Sequence, residues 1–303
     1  MVDLIIMGNL SDITRYDYVV VDGMNYAYRC HNGIPVSFQG KPTGMLLGMA
    51  RFVMKYGFYG KQFKGAKVIF LWEGMHQWRK KKYPYYKANR KSSGDSSKVE
   101  FFDLLNECQG FLQSTGVYQV SHDGLEADEL ASWFAKKYKN VLLVSNDKDW
   151  QVLAGYADIL REDTILKYAD VEKKWGFKPE YIYWYLTIHG DSGDNVPNAL
   201  SGLYKKHFPV LLSLIKSVED IPDALSAMGL PQWALKAEKS LPVLRENADI
   251  VMLHDEMVKK FIHTPPKIDL RYALDILDNN GMDGQVSEYA NLSYKYSRGK
   301  NEK

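Results

Sequence analysis

The sequence predicts an α/β fold with a mostly parallel central sheet flanked by helices. Three observations point there. The short, largely apolar runs Tyr18–Val21, Lys67–Leu71 and Val141–Val144 have the length of buried strands. Each is flanked by helix-like segments in place of hairpin turns, so the connections read as crossovers between parallel strands. An acid stands at or just after the end of each run, where open parallel sheets place their binding crevice.

The elements follow in order. YVVVDG closes the first strand on Asp22, and Gly44–Tyr56 (GMLLGMARFVMKY) has helical apolar spacing. VIFLWEG closes the second strand on Glu73. Between Trp78 and Val99 the pattern breaks into basic, Tyr, Gly and Ser residues, and long segments of this kind are usually functional or mobile. Helical spacing resumes over Glu100–Leu112 and again over Glu126–Tyr138, where Leu130, Phe134 and Tyr138 share a face beside Ala127 and Ala131. The third strand runs into VLLVSNDKDW, bringing Asp147 and Asp149. After about residue 200 strand signals fade, and short helices broken by Pro and Gly are expected to the end, where SYKYSRGKNEK reads as a frayed basic tail.

Composition narrows the class. A chain of 303 residues, 46% apolar and 25% charged, is long enough for a sizeable core and ordinary for a soluble protein. It has no uncharged apolar run of about 18 residues, so no membrane span or membrane partner is expected. The N-terminal MVDLIIMGNLSD lacks a basic n-region and a cleavage site, so no signal peptide is read there. Cys30 and Cys108 make no disulfide framework and no CxxC pair, which suits a cytoplasmic protein. The net charge of +2 does not by itself indicate nucleic acid, but its distribution does. From Lys61 to Lys91 there are ten Lys/Arg and one acid, and seven of the ten lie in RKKKYPYYKANRK with three tyrosines among them.

Chemistry centres on the carboxylates. Asp22, Glu73, Glu126, Asp128, Glu129, Asp147, Asp149, Asp191 and Asp194 are nine acids in five segments, all expected near one sheet edge. So many carboxylates raise one another's pKa unless cations neutralise them, and hard divalent ions with oxygen ligands do so. Each acid alone has a plainer reading: Asp22 as a turn residue or helix N-cap, Asp123 or Glu126 as complement to a helix N-terminus, GDSGDN as an Asx-turn loop. Independent turns explain the conjunction poorly. The basic stretch is either a solvated loop or a surface whose cations meet phosphates and whose tyrosines stack on unpaired bases. His189 and His207 read as structural, and no Ser/His/Asp or Cys/His nucleophile arrangement competes.

At this point the segments resemble the 5′-nuclease family of flap endonucleases and 5′→3′ exonucleases, closest to the phage RNase H and T5-type 5′-exonuclease branch. VDGMNYAYR resembles its first motif, YPYYKANRK its arch motif, GLEADEL its G-x-E-A-D-D motif, SNDKDW its [ST]-x-D-x-D-[WL] motif and GDSGDNVPN its G-D-x-x-D-N-[IV]-P-G motif. The match runs over roughly residues 17 to 215. The resemblance implies a PIN-like nuclease core over 1–185 with a helical arch at about 76–100, a helix–hairpin–helix-type DNA-binding subdomain over 186–290 and a basic tail over 291–303. It implies a first metal on Asp22, Glu73, Glu126, Asp128 and Glu129, and a second on Asp147, Asp149, Asp191 and Asp194. Arg29, Lys87 and Arg90 would meet the scissile phosphate and threaded strand; Arg79, Lys80, Lys81, Lys82, Tyr86, Lys91, Lys205 and Lys206 would bind DNA.

The resemblance further implies Mg²⁺ or Mn²⁺, two ions, and cleavage near DNA 5′ ends, flaps or RNA primers in replication or repair. It implies a monomer, in the host cytoplasm if phage-encoded, working with a polymerase or single-strand-binding protein. Three departures are visible. The second strand ends in Glu73 where the family has Asp, Glu129 replaces the last Asp of the third motif, and NALSGLYKKHF keeps only Gly202 of the family's G-V-x-G-I-G, leaving K⁺ binding open. Two other readings compete: a PIN-like ribonuclease, and a catalytically silent DNA-junction binder.

Overall fold

The computed structural model describes residues 16–59, 65–75, 77–90 and 95–301. The N-terminal dodecapeptide and Lys91 lie outside the described residues. The strands are β1 (Tyr18–Asp22), β2 (Ser37–Phe38), β3 (Lys41–Pro42), β4 (Lys67–Leu71), β5 (Tyr118–Ser121), β6 (Val141–Val144), β7 (Asp158–Arg161), β8 (Thr164–Leu166) and β9 (Ile262–Thr264). The helices are α1 (Gly23–Gly33), α2 (Gly44–Phe52), α3 (Trp78–Lys82), α4 (Asp95–Ser114), α5 (Ala127–Lys137), α6 (Tyr168–Trp175), α7 (Ile182–His189), α8 (Phe208–Leu214), α9 (Asp220–Ala227), α10 (Pro231–Val251), α11 (Leu270–Asn279) and α12 (Asp283–Asn301).

Seven strands form one sheet in the order β8-β7-β6-β1-β4-β5-β9, while β2 and β3 make a separate hairpin. The five inner strands are parallel and the two edge strands antiparallel. From β1 the chain builds outward through β4 and β5, then crosses back to β6 and builds the other way. The switch point therefore falls between β1 and β6, where a crevice opens beyond the strand ends. Register keeps those ends level: Asp22 pairs with Leu71, and Val21 with Val144.

Alternation along the strands explains why both faces are covered. Val20, Ile69, Leu71, Leu143 and Ile159 face a core shared with α5 and the helices from α7 to α10, whereas Val19, Val21, Phe70, Leu142 and Val144 face one shared with α1, α2 and α4. All three expected strands are present. The expected helix Gly44–Tyr56 is α2 running into a wider π-helical segment, Val53–Tyr59.

The end of the chain differs from expectation. β9 pairs with β5, and Ala273, Ile276, Leu277, Met282 and Tyr289 fill the core beside Val19 and Val21. The Tyr289 hydroxyl donates to the Ala50 carbonyl at 2.9 Å. Residues beyond 261 thus return to the nuclease core, so the divisions expected at 186 and 291 do not follow the packing, and α12 continues helical to Asn301 where a frayed tail was expected. The sequence hid this because three exposed residues, Ile262–Thr264, give a strand no hydrophobic alternation.

Candidate active site

Asp22 ends β1 and caps α1. Its Oδ1 accepts from the Asn25 amide at 3.0 Å and its Oδ2 from the Ser145 hydroxyl at 2.9 Å. The plain reading of this residue as an N-cap is therefore correct, and it does not exhaust the residue. Burial pushes its carboxyl up to about 7 against those bonds, with Asp147 and Glu73 adding to the rise. Asp22, Glu73, Asp128 and Asp147 line one open groove of about 740 Å³, with Arg29, Lys87 and Arg90 on its walls. Arg29 is aimed by a hydrogen bond to Asn146 at 3.1 Å and by the Tyr26 ring 4.6 Å away. The Trp150 indole donates to Asp128 at 2.7 Å. Burial drives Asp128 well above the usual carboxylate range; Lys87 opposes this, and the Glu126, Asp147 and Asp22 charges reinforce it.

A second group lies beside the first. Asp149, Asp191 and Asp194 each offer a carboxylate oxygen, and these oxygens lie within 4.8 Å of one another. Asp149 follows an Asx turn in which its amide donates to Asp147 Oδ1 at 3.0 Å. Gly190, at φ 77°, turns the chain into the loop carrying the other two; a Cβ there would meet Val196 O and Pro197 C at 2.6 Å. Burial first, then Asp147, pushes Asp149 up to about 8. Its Oδ1 is buried without a hydrogen-bond partner. An orphaned anionic oxygen among two other carboxylates suits a hard divalent cation.

Glu126 and Glu129 behave differently. Glu126 Oε1 accepts from Lys87 Nζ at 2.7 Å, and its Oε2 accepts from Arg79 at 3.1 Å and the Tyr86 hydroxyl at 3.0 Å. Burial alone would raise the Glu126 carboxyl, but Lys87 and Arg79 outweigh it and hold the group below its ordinary value. Glu129 is fully buried; its Oε2 accepts from the Glu126 amide at 3.0 Å and its Oε1 pairs with Arg79. Together they form a capping box at the start of α5. Protein cations thus pair with both of these carboxylates, which the sequence expects to hold the first metal.

Residues 17–176 match the family model described as the 5′-3′ exonuclease, N-terminal resolvase-like domain. The chain belongs to the 5′-3′ exonuclease family. Among its curated relatives, the flap endonuclease Xni of Shewanella pealeana is 28% identical over 251 residues, covering 79% of this chain and 92% of that protein. DNA polymerase I of Pseudomonas aeruginosa is 26% identical over 84% of this chain and 28% of that longer protein. In fold the chain is similar to the T5 D15 protein crystallised with metal ions, with a TM-score of 0.63 at 21% identity over 91% of this chain and 98% of that one.

Within this 5′-3′ exonuclease family member, the basic stretch is less exposed than expected. Arg79 is 2% exposed, with its guanidinium committed to Glu126, Glu129 and the carbonyls of Ile250 and Met252. It is a core ion pair and does not present a DNA contact. Tyr83 and Tyr86 are buried, with hydroxyls bonded to carboxylates, so they offer no free face for a base. Lys80, Lys81, Lys82, Lys205 and Lys206 are exposed, Lys82 being tied to Asp249 at 2.8 Å. Lys87, at φ 56°, holds a backbone conformation unusual for a side-chain-bearing residue, and its amide donates to Asp194 O at 3.0 Å. Arg90 pairs with Asp194. Sequence reading missed Ser145, Trp150 and Lys148, whose ammonium meets Asp191 at 2.8 Å. All three stand within SNDKDW, which was the available signal. No helix among the described residues is long and apolar enough to cross a membrane.

Proposed function

We propose that this chain is a structure-specific 5′-nuclease that hydrolyses phosphodiester bonds near the 5′ ends of DNA: flaps, nicks and RNA primers at a duplex junction. The observation that carries the reading is the cluster of Asp149, Asp191 and Asp194 beside a groove that has carboxylates on its floor and Lys87 and Arg90 on its wall. All-oxygen donors favour Mg²⁺ or Mn²⁺. One ion would rest on Asp149, Asp191 and Asp194, and another on Asp22, Glu73, Asp128 and Asp147. When bound, such ions activate a water and stabilise the leaving oxygen of a phosphodiester.

The chain's own groups supply the rest. Arg29 and Arg90 bind phosphate oxygens and orient the strand, and Lys87, released from Glu126, neutralises charge developing on the scissile phosphate. Trp150 and Ser145 hold Asp128 and Asp22 in place. Lys205 and Lys206, both exposed, would meet duplex phosphates. The products are 5′-phosphate and 3′-hydroxyl ends. The test is product mapping with Mg²⁺ on a labelled 5′-flap, a nick and an RNA–DNA hybrid. Cutting at the flap junction supports the reading; exclusive cutting of single-stranded RNA favours a PIN-like ribonuclease and overturns it.

A further inference from the structure

The basic arch and the loop of the second acidic cluster are both gripped by one helix, α10, which lies outside the residues 17–176 matched by the family model. Its last turns reach the arch base through side chains and backbone. The Tyr83 hydroxyl and Lys82 Nζ donate to Asp249 Oδ2 at 2.7 and 2.8 Å, and the Tyr85 hydroxyl donates to Glu246 Oε1 at 2.7 Å. Arg79 donates to the carbonyls of Ile250 and Met252, each at 2.7 Å.

Between these residues Asn247, fully buried, turns the other way. Its Nδ2 donates to Thr187 O at 2.9 Å and Pro197 O at 2.8 Å, carbonyls that bracket the loop bearing Asp191 and Asp194. The two gripped segments also meet directly, with Asn195 Nδ2 donating to Tyr85 O at 2.9 Å. Nearer its start, roughly 15–24 Å away along the helix axis, α10 holds the loop that precedes Lys205: Lys236 Nζ donates to Ser201 O at 2.7 Å, and Trp233 closes over Gly202.

We propose that the last two turns of α10 are a positioning element for the reaction, in which Glu246 and Asp249 fix the arch base and Asn247 fixes the second-cluster loop. Lys87 and Arg90 are thereby held in register with Asp149, Asp191 and Asp194. The bonds to Glu246 and Asp249 are charge-assisted and cross between segments far apart in sequence, which gives them directional hold. Small displacements of such groups cost rate steeply. None of Tyr85, Glu246 and Asp249 touches the reacting phosphate, so their effect passes through Lys87 and the loop. The inference rests on the nuclease reading above.

The experiment compares wild type with Tyr85→Phe, Glu246→Ala, Asp249→Ala and the Tyr85→Phe/Glu246→Ala double variant on a 5′-flap substrate. These sites are partly exposed, so the variants avoid the folding risk of changing buried Asn247, and circular dichroism checks that each is folded at the assay temperature. Single-turnover cleavage in saturating Mg²⁺ is expected to fall roughly tenfold or more in each single variant, with the flap dissociation constant in EDTA unchanged. The double variant falls no further than its worse parent, because both changes break one bond. Folded variants that cut at the wild-type rate, or that lose affinity in proportion to rate, overturn the inference while wild-type cutting keeps the nuclease reading. A wild-type chain that does not cut the flap overturns both.

Discussion

Asp149 is a half-buried acid and Glu129 a fully buried one, and they differ in what answers their charge. Glu129 has Arg79, whereas Asp149 keeps one oxygen without a partner and is pushed by burial from an ordinary 3.8 up to about 8. Replacing Asp149 with Asn is expected to lower single-turnover cleavage by about a hundredfold or more and leave flap binding in EDTA intact; binding and rate measured on one preparation check this. The same raised pKa fixes a pH dependence. In the metal-free chain the folded state holds a proton on Asp149 that the unfolded state releases above about 4, so stability falls as pH rises towards about 8 and then levels. Asp22, at about 7, acts in the same direction. Thermal midpoints in EDTA should drop from about pH 5 to about pH 8, and Mg²⁺ should raise the midpoint more at the upper pH. The positions of these acids were legible because each follows a strand end. Their counter-ions were not: Arg79 is turned inward by the carbonyls of Ile250 and Met252, 171 and 173 residues away, which no local pattern encodes.

At the scale of elements, the start of α5 and the basic stretch Arg79–Arg90 form one electrostatic joint. Arg79→Ala would leave Glu129 and Glu126 buried beside a lost cation, and a loss of about 3–5 kcal/mol in urea unfolding is expected. Arg79→Met, which restores volume without charge, leaves Glu129 unanswered and Glu126 with Lys87 alone, and should recover little. Lys87→Ala should retain the fold and reduce turnover by roughly a hundredfold or more, as read by single-turnover rates in saturating Mg²⁺. Sequence periodicity showed α5 nearly to the residue, with Glu126 and Tyr138 as its caps. It misjudged the basic stretch because Lys, Arg and Tyr look alike whether they face solvent or fold onto acids; burial of Tyr83 and Tyr86 is a tertiary outcome.

For the whole molecule, the parallel sheet and its switch point were legible, since β1, β4 and β6 are largely apolar, buried and followed by crossovers. Strands β7, β8 and β9, each carrying a polar or charged residue in a run of three or four, were not, and with β9 went the return of the chain to the core. That return has a measurable consequence. Truncation after residue 261 removes Leu277, Met282 and Tyr289 from the core beside β1 and strips β5 of its edge partner. The truncated chain is expected to lose cooperative unfolding, whereas loss of a frayed tail would leave it unchanged; chemical denaturation followed by tryptophan fluorescence separates the two.

Arg79, Lys87, Arg90 and Lys148 between them answer Glu126, Glu129, Asp194 and Asp191. The chain in effect brings its own electrolyte to its cluster of acids. Folding of the site need not wait for a divalent ion, and an ion arriving at Asp149, Asp191 and Asp194 would exchange places with Lys148 and Arg90, which would then be free to hold phosphate, while Arg79 stays in its core pair. Loading and substrate capture are thus two sides of one exchange. A chelated preparation should regain full activity on metal addition at once, with no slow refolding phase in the progress curve.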